Sequence, residues 1–161
     1  MSDTLDTLEN ITYDELNEGD SATFTRTLTE DELVLFAAVS GDVNPVHLDS
    51  EFAAESMFRE RIAHGMWSGS LISAALATVM PGPGTIYLEQ SLSFKRPVKL
   101  DDTLTVTLSV LSKEPKNRVS FGCDVRNQNG DQVVTGEAKV IAPTEKISLQ
   151  KPRLPKITIE S

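Results

Sequence analysis

The sequence predicts an α+β domain in which one curved antiparallel sheet wraps a long, central apolar helix. Three observations carry that expectation. Residues 64–80, "HGMWSGSLISAALATVM", are apolar on nearly every face, as a helix enclosed by other elements must be. Past "PGPG", which breaks the run after Met80, the apolar spacing changes from near four to two. Asn129-Gly130 then supplies a hairpin turn between two of the alternating segments.

The elements follow in order. Residues 1–19 are rich in acidic and hydroxyl side chains without a sustained period and are expected to form an N-terminal extension. "SATFTRTL" can pair as a strand. "TEDELVLFAAVSG" opens with Thr29 and Glu32 at capping-box spacing and stops at Gly41, so it should be a helix. Pro45 biases Asn44 away from helical angles, which predicts an irregular connection from Asp42 to His47. Asp49 can then cap a short helix through "SEFAAESMF".

The central helix comes next, its Gly and Ser content allowing close backbone approach. In the second half Ile86, Leu88, Leu92 and Phe94 should share one strand face. Leu104, Val106, Leu108 and Val110 should share another, and Val119, Phe121, Cys123 and Val125 a third. "VVTGEAKVIA" returns as the fourth strand. From Pro143 on, "PTEKISLQKPRLPKITIES" has three prolines and no amphipathic period, which predicts a C-terminal tail or linker over 143–161 and places the domain at 20–142.

Composition narrows the function. The 161 residues include 24 acidic and 15 basic ones, a net charge of −9 that repels a polyanion, so nucleic acid is not expected as a partner. The same charge means that a phosphorylated ligand would need local cations, for which Lys95, Arg96, Lys99, Arg59 and Arg61 are the candidates. No apolar run is long enough to span a membrane, and the acidic N-terminus lacks the flank and core of a secretory signal, so a cytoplasmic protein is expected. A single cysteine, Cys123, excludes an internal disulfide and a multi-cysteine zinc site and reads as a packed thiol. No P-loop, GxGxxG, GxSxG, HExxH or EF-hand spacing occurs, and no metal is expected.

Candidate chemistry lies in "SGDVNPVHLD", residues 40–49. Taken singly, Asp42, Asn44 and His47 are ordinary turn residues satisfied by nearby backbone. As a unit, Asp42 and His47 can hold a water, the carboxylate orienting or deprotonating it and the imidazole sharing its proton. Gly65, at the start of the central helix, leaves room for a substrate carbonyl to reach a free amide. Ser70 lies further along the same helix. It is a small packing residue on one reading and a hydrogen-bond donor to Asp42 on the other.

Three blocks together, "FAAVSGDVNPVHLD", "RIAHGMWSGSLIS" and "IYLEQSLSFKRPVKLDDTL", resemble the MaoC-like hot dog proteins, most of all the (R)-specific enoyl-CoA hydratases. The resemblance runs from about Asp20 to Ala142 and implies the hot dog fold. It implies that Asp42 and His47 form the catalytic pair adding water to a trans-2-enoyl-CoA to give an (R)-3-hydroxyacyl-CoA. The Gly65 amide would receive the thioester oxygen, Asn44 would support the loop and Ser70 would align with the residue that hydrogen-bonds the carboxylate. It further implies an acyl-CoA substrate with no other cofactor, and a homodimer. Trp67 stands where a smaller aliphatic residue is expected, to cap an acyl pocket or fill the core. The tail resembles the linker found when such a domain precedes a phosphate acyltransferase. Two other functions stay open at this point: an acyl-CoA thioesterase on the same fold, and a non-catalytic acyl-CoA-binding or dimerisation module.

Overall fold

A computed structural model describes residues 6–160. Eight strands and four helices are present among them: β1 (Thr7–Glu9), β2 (Ser21–Thr27), α1 (Glu30–Ser40), α2 (Pro45–Leu48), α3 (Ser50–Glu55), α4 (Gly65–Thr78), β3 (Ile86–Gln90), β4 (Ser93–Phe94), β5 (Thr103–Glu114), β6 (Arg118–Arg126), β7 (Gln132–Ile141) and β8 (Ser148–Gln150). The main sheet runs β2-β5-β6-β7-β3, with β4 also on β7, and every pairing is antiparallel. Alternation in β5 and β6 buries Leu104, Val106, Leu108 and Val110, then Val119, Phe121, Cys123 and Val125. That face meets Leu71, Ile72, Ala75 and Leu76 of α4 in one core. Buried aliphatic side chains of this kind stabilise by about 1.5–3 kcal/mol each. The result is the hot dog arrangement, a sheet curled around one helix.

Helix α1 is capped as its sequence requires: the Thr29 hydroxyl accepts from the Glu32 amide, and Gly41 ends the helix at φ 79°. Asp49 likewise caps α3, accepting from the amides of Glu51 and Phe52. Trp67 fills the core. Burial pushes the Cys123 thiol up to about 11, which keeps it protonated and unreactive.

Four findings depart from the sequence-based expectations. The Asp42–His47 connection is not irregular throughout, because Asn44 caps a single helical turn, α2, with Pro45 at its first position. Second, α4 is not enclosed on all sides. Met66, Ser70 and Ala77 form an exposed stripe, Met66 being 56% exposed. Third, Ile86, Leu88 and Phe94 are exposed rather than buried on a common face. They lie at the sheet edge, where β3 carries a bulge between Tyr87 and Glu89 and the chain breaks step before β4.

That break brings the Ser91 carbonyl against Gly136 of β7. A Cβ there would sit 1.9 Å from the Ser91 oxygen, and both sides are backbone. Gly136→Ala is therefore expected to cost at least about 1–3 kcal/mol in denaturant unfolding. Wild-type stability in that variant would show that the crossing has slack.

Fourth, the terminal segments expected as extension and tail clasp one another. β1 pairs with β8, and Leu16 enters the core with no exposed surface. The buried Asn10 amide donates to the carbonyls of Pro83 and Glu145 and accepts from the Ile147 amide. Side chain to backbone bonds of this kind leave no amphipathic period to read. Residues 1–5 lie outside the described range, and 151–160 are exposed without helix or strand.

Glu15 seals the clasp. It accepts from the Thr12 amide at 3.0 Å, the Thr12 hydroxyl at 2.9 Å and Lys146 Nζ at 3.0 Å. These bonds, the Thr12 amide foremost, lower its pKa from 4.5 to about 2. A depressed carboxylate contributes stability above its unfolded pKa and loses it as pH falls through the folded one. Wild type should therefore melt above Glu15→Gln at neutral pH, the gap closing between about 4.5 and about 2. Melting temperatures that stay parallel across that window would contradict the assignment.

Candidate active site

The site is built at the end of α1. Gly41 turns the chain, the Asp42 amide donates to Ser40 Oγ at 3.2 Å, and Asp42 Oδ1 accepts from the Asn44 amide at 3.1 Å. Asn44 Oδ1 in turn accepts from the Val46 amide at 3.2 Å and starts α2. These linked turns leave Asp42 Oδ2 free of that chain of bonds, on a side chain 51% exposed. One helical position later the imidazole of His47 points inward, 7% exposed.

His47 Nδ1 lies 2.7 Å from the Ile62 carbonyl. A carbonyl only accepts, so Nδ1 carries the hydrogen and, in the neutral ring, Nε2 presents a lone pair. Nε2 stands 3.7 Å from Asp42 Oδ2. The pair thus consists of two acceptors facing one position, on a wall closed behind by protein and open in front.

A second histidine completes the cluster. His64 caps α4 without a side-chain bond to the helix. Instead its Nε2 donates to the Asp42 main-chain carbonyl at 2.8 Å, and its ring stacks on His47 at 3.7 Å between centroids and 24° between planes. Phe36 of α1 packs on its other flank, 5.1 Å away. His64 Nδ1 is buried with no hydrogen-bond partner among the described residues.

Asp42, His47 and His64 place potential ligand atoms within 4.8 Å of one another. Near-parallel stacked rings aim their in-plane lone pairs alongside one another rather than at a common point, and His64 Nε2 is taken by a carbonyl. This donor set is poorly shaped for the tetrahedral geometry a metal would ask of it.

Gly65 opens α4 beside this cluster. A Cβ on it would come 3.0 Å from Phe94 Cε1, so glycine lets β4 approach the helix end. The Ser70 hydroxyl donates back to the Trp67 carbonyl at 2.5 Å, a local bond typical of helical serine, and makes none to Asp42. The structure thus brings together Asp42, Asn44 and His47, with Gly65 next to His64, while Ser70 lies on the wall of a groove along α4 and makes no bond to Asp42. His64 and Phe36 are the neighbours that sequence reasoning left without a role, since stacking between residues 36, 47 and 64 has no local pattern.

Two hollows flank the cluster. A groove of about 670 Å³ runs along α4 between Phe36, Met66, Gly69, Ser73, Leu88 and Leu92. A pocket of about 330 Å³ lies on the other side, among Phe58, His64, Gly65, Phe94, Lys95 and Arg96.

A curled sheet around one helix, with a carboxylate and an imidazole converging beside that helix's amide end, defines a hot dog domain. Residues 15–131 match the family described as MaoC like domain, and the chain belongs to that family. It is 43% identical to an (R)-specific enoyl-CoA hydratase of Rhodospirillum rubrum over 134 residues, 81% of this chain and 91% of that protein. The enzyme of the same name from Aeromonas caviae is 42% identical, covering 80% of this chain and 96% of its own length. Among solved structures, the unliganded R-hydratase PhaJ1 of Pseudomonas aeruginosa is similar at 59% identity with a TM-score of 0.93, covering 96% of this chain and 99% of that one.

Proposed function

We propose that this chain is an (R)-specific enoyl-CoA hydratase, an enzyme that adds water to a trans-2-enoyl-CoA to give an (R)-3-hydroxyacyl-CoA. The observation that carries the reading is the 3.7 Å approach of Asp42 Oδ2 and His47 Nε2, both as acceptors. Two acceptors so placed are reconciled by one molecule with two O–H groups, which is water. Its oxygen bonds to C3 of the enoyl chain as a proton passes to the pair, and the pair returns a proton to C2. Water is consumed whole, and the enzyme ends as it began.

Between those transfers, negative charge sits on the thioester oxygen as an enolate. The Gly65 amide, at the uncapped start of α4, is the proposed donor to it. A preorganised donor of this type contributes about 3–4 kcal/mol in other enzymes. Asn44 holds the α2 turn that carries His47. Ser70 takes no direct part in this scheme. No step needs a metal or a cofactor beyond the coenzyme A of the substrate.

We further propose a homodimer. An open edge at β3 lies beside the exposed α4 stripe, and Tyr87 and Leu88 stand uncovered there. A second copy placed edge to edge would continue the sheet and cover both. A cytoplasmic setting fits the single buried thiol, and no described helix is long and apolar enough to cross a membrane.

The direct test is purified protein with crotonyl-CoA. Loss of the enoyl thioester absorbance with formation of (R)-3-hydroxybutyryl-CoA is expected. Release of free thiol without hydration would identify a thioesterase instead, and no reaction at all would reject the assignment.

A further inference from the structure

We infer that His64 is a positioning residue for the proposed hydration: its ring and its Nε2–H together set the 3.7 Å spacing between Asp42 Oδ2 and His47 Nε2. This role rests on the proposed reaction and adds the residue that keeps the pair in register. In that scheme His64 acts only through the two other side chains.

Little else anchors Asp42. The chain turns at Gly41 in the left-handed region, φ 79°, and among the described residues every hydrogen bond of residues 42–44 but one ends within four positions along the chain. Local turns of this kind fix the shape of the loop and leave its placement on the domain open. The exception is the bond from His64 Nε2 to the Asp42 carbonyl, 2.8 Å long and spanning 22 positions. The same nitrogen lies 4.0 Å from Asp42 Oδ2, so a shift of His64 is felt by the backbone and the carboxylate together.

His47 is held in a complementary way. Its Nδ1 is bonded to the Ile62 carbonyl, yet a ring tied at one atom can still swing about that bond. The face of His64, 3.7 Å away and inclined by 24°, removes that freedom. Phe36 stands on the far side of His64, 5.1 Å from its centroid, and keeps it from backing away. One buried imidazole therefore meets both members of the pair, and α1 backs it.

Packing alone does not account for this residue. His64 is 3% exposed, and its Nδ1 has no partner among the described residues. An apolar ring of similar size would fill the space without a buried orphan acceptor. What such a ring lacks is the N–H that reaches Asp42. A reacting group misplaced by about 1 Å can lose about a hundred-fold in rate, which is the scale on which a clamp of this kind matters.

Two variants separate the contacts. His64→Phe keeps a ring against His47 and loses the donor, whereas His64→Gln keeps an N–H near the place of Nε2 and loses the ring. Each should lower kcat on crotonyl-CoA by about ten- to a hundred-fold, with KM changed by less than about three-fold. In the Asp42→Asn background no carboxylate is left to place, and the same substitutions should cost less than about three-fold. Losses of equal factor in both backgrounds would reveal packing only, and unchanged kcat in both single variants would reveal no role; either result overturns the inference. If wild type does not hydrate crotonyl-CoA, the proposed reaction fails, and crystal structures of wild type and the two variants then judge the clamp without turnover. An Oδ2–Nε2 spacing longer by about 1 Å in the variants supports it, and the wild-type spacing in both refutes it.

Discussion

Asp42→Asn is expected to lower kcat on crotonyl-CoA by about 10²–10⁴-fold with the fold unchanged. Asparagine has the same shape, and its side-chain oxygen can still accept from the Asn44 amide as Asp42 Oδ1 does. His64 donates to the main-chain carbonyl of residue 42, which the substitution leaves in place. What disappears is the charge on Oδ2, replaced by an amide that donates where an acceptor faced His47 Nε2. A water between them would lose one of its two acceptors and the group best able to draw off its proton. Circular dichroism and melting temperature should match wild type, and a variant keeping more than about a tenth of wild-type kcat would speak against a proton-transfer role.

His47→Gln should be equally slow but also less stable. Its Nδ1–H bond to the Ile62 carbonyl is part of how the α2 turn is pinned to the segment before α4, and the ring fills space against His64. Losing that bond leaves a partly buried carbonyl without a partner, at about 1–3 kcal/mol. His47→Asn separates the two roles. An asparagine amide nitrogen falls near the position of Nδ1 and can donate to Ile62, while nothing replaces Nε2. That variant should recover most of the stability lost in His47→Gln and none of the activity, about 10²–10⁴-fold below wild type. Activity recovered together with stability would mean that His47 only holds the turn.

Much of this was legible in the chain. β5 and β6 bury one face each, and strict alternation announced it. Thr29, Gly41 and Asp49 act through bonds to residues two to four positions away, so their roles could be read locally. That Asp42 and His47 approach each other was legible for a similar reason: an Asx turn and a proline between them turn both side chains back toward one spot. The exposed side of α4 and the β3 edge read as core because apolar content does not say what covers it. In a single chain nothing does. The clasp of residues 7–16 with 143–150 went unread since Asn10 works through backbone groups far along the sequence and Glu15 through the equally distant Lys146 side chain. Ser70 could be read either as a packing residue or as a donor to Asp42, and its bond to the Trp67 carbonyl shows a helix serving its own backbone.

The central claim is that Asp42 and His47 act on one shared water, and a double-mutant cycle tests it most directly. Crotonyl-CoA hydration would be measured for Asp42→Asn, His47→Asn and the combined variant. Groups that serve the same transfer fail together, so the combined variant should be about as slow as the slower single one. Losses that multiply, each residue contributing its full factor independently of the other, would contradict a shared water.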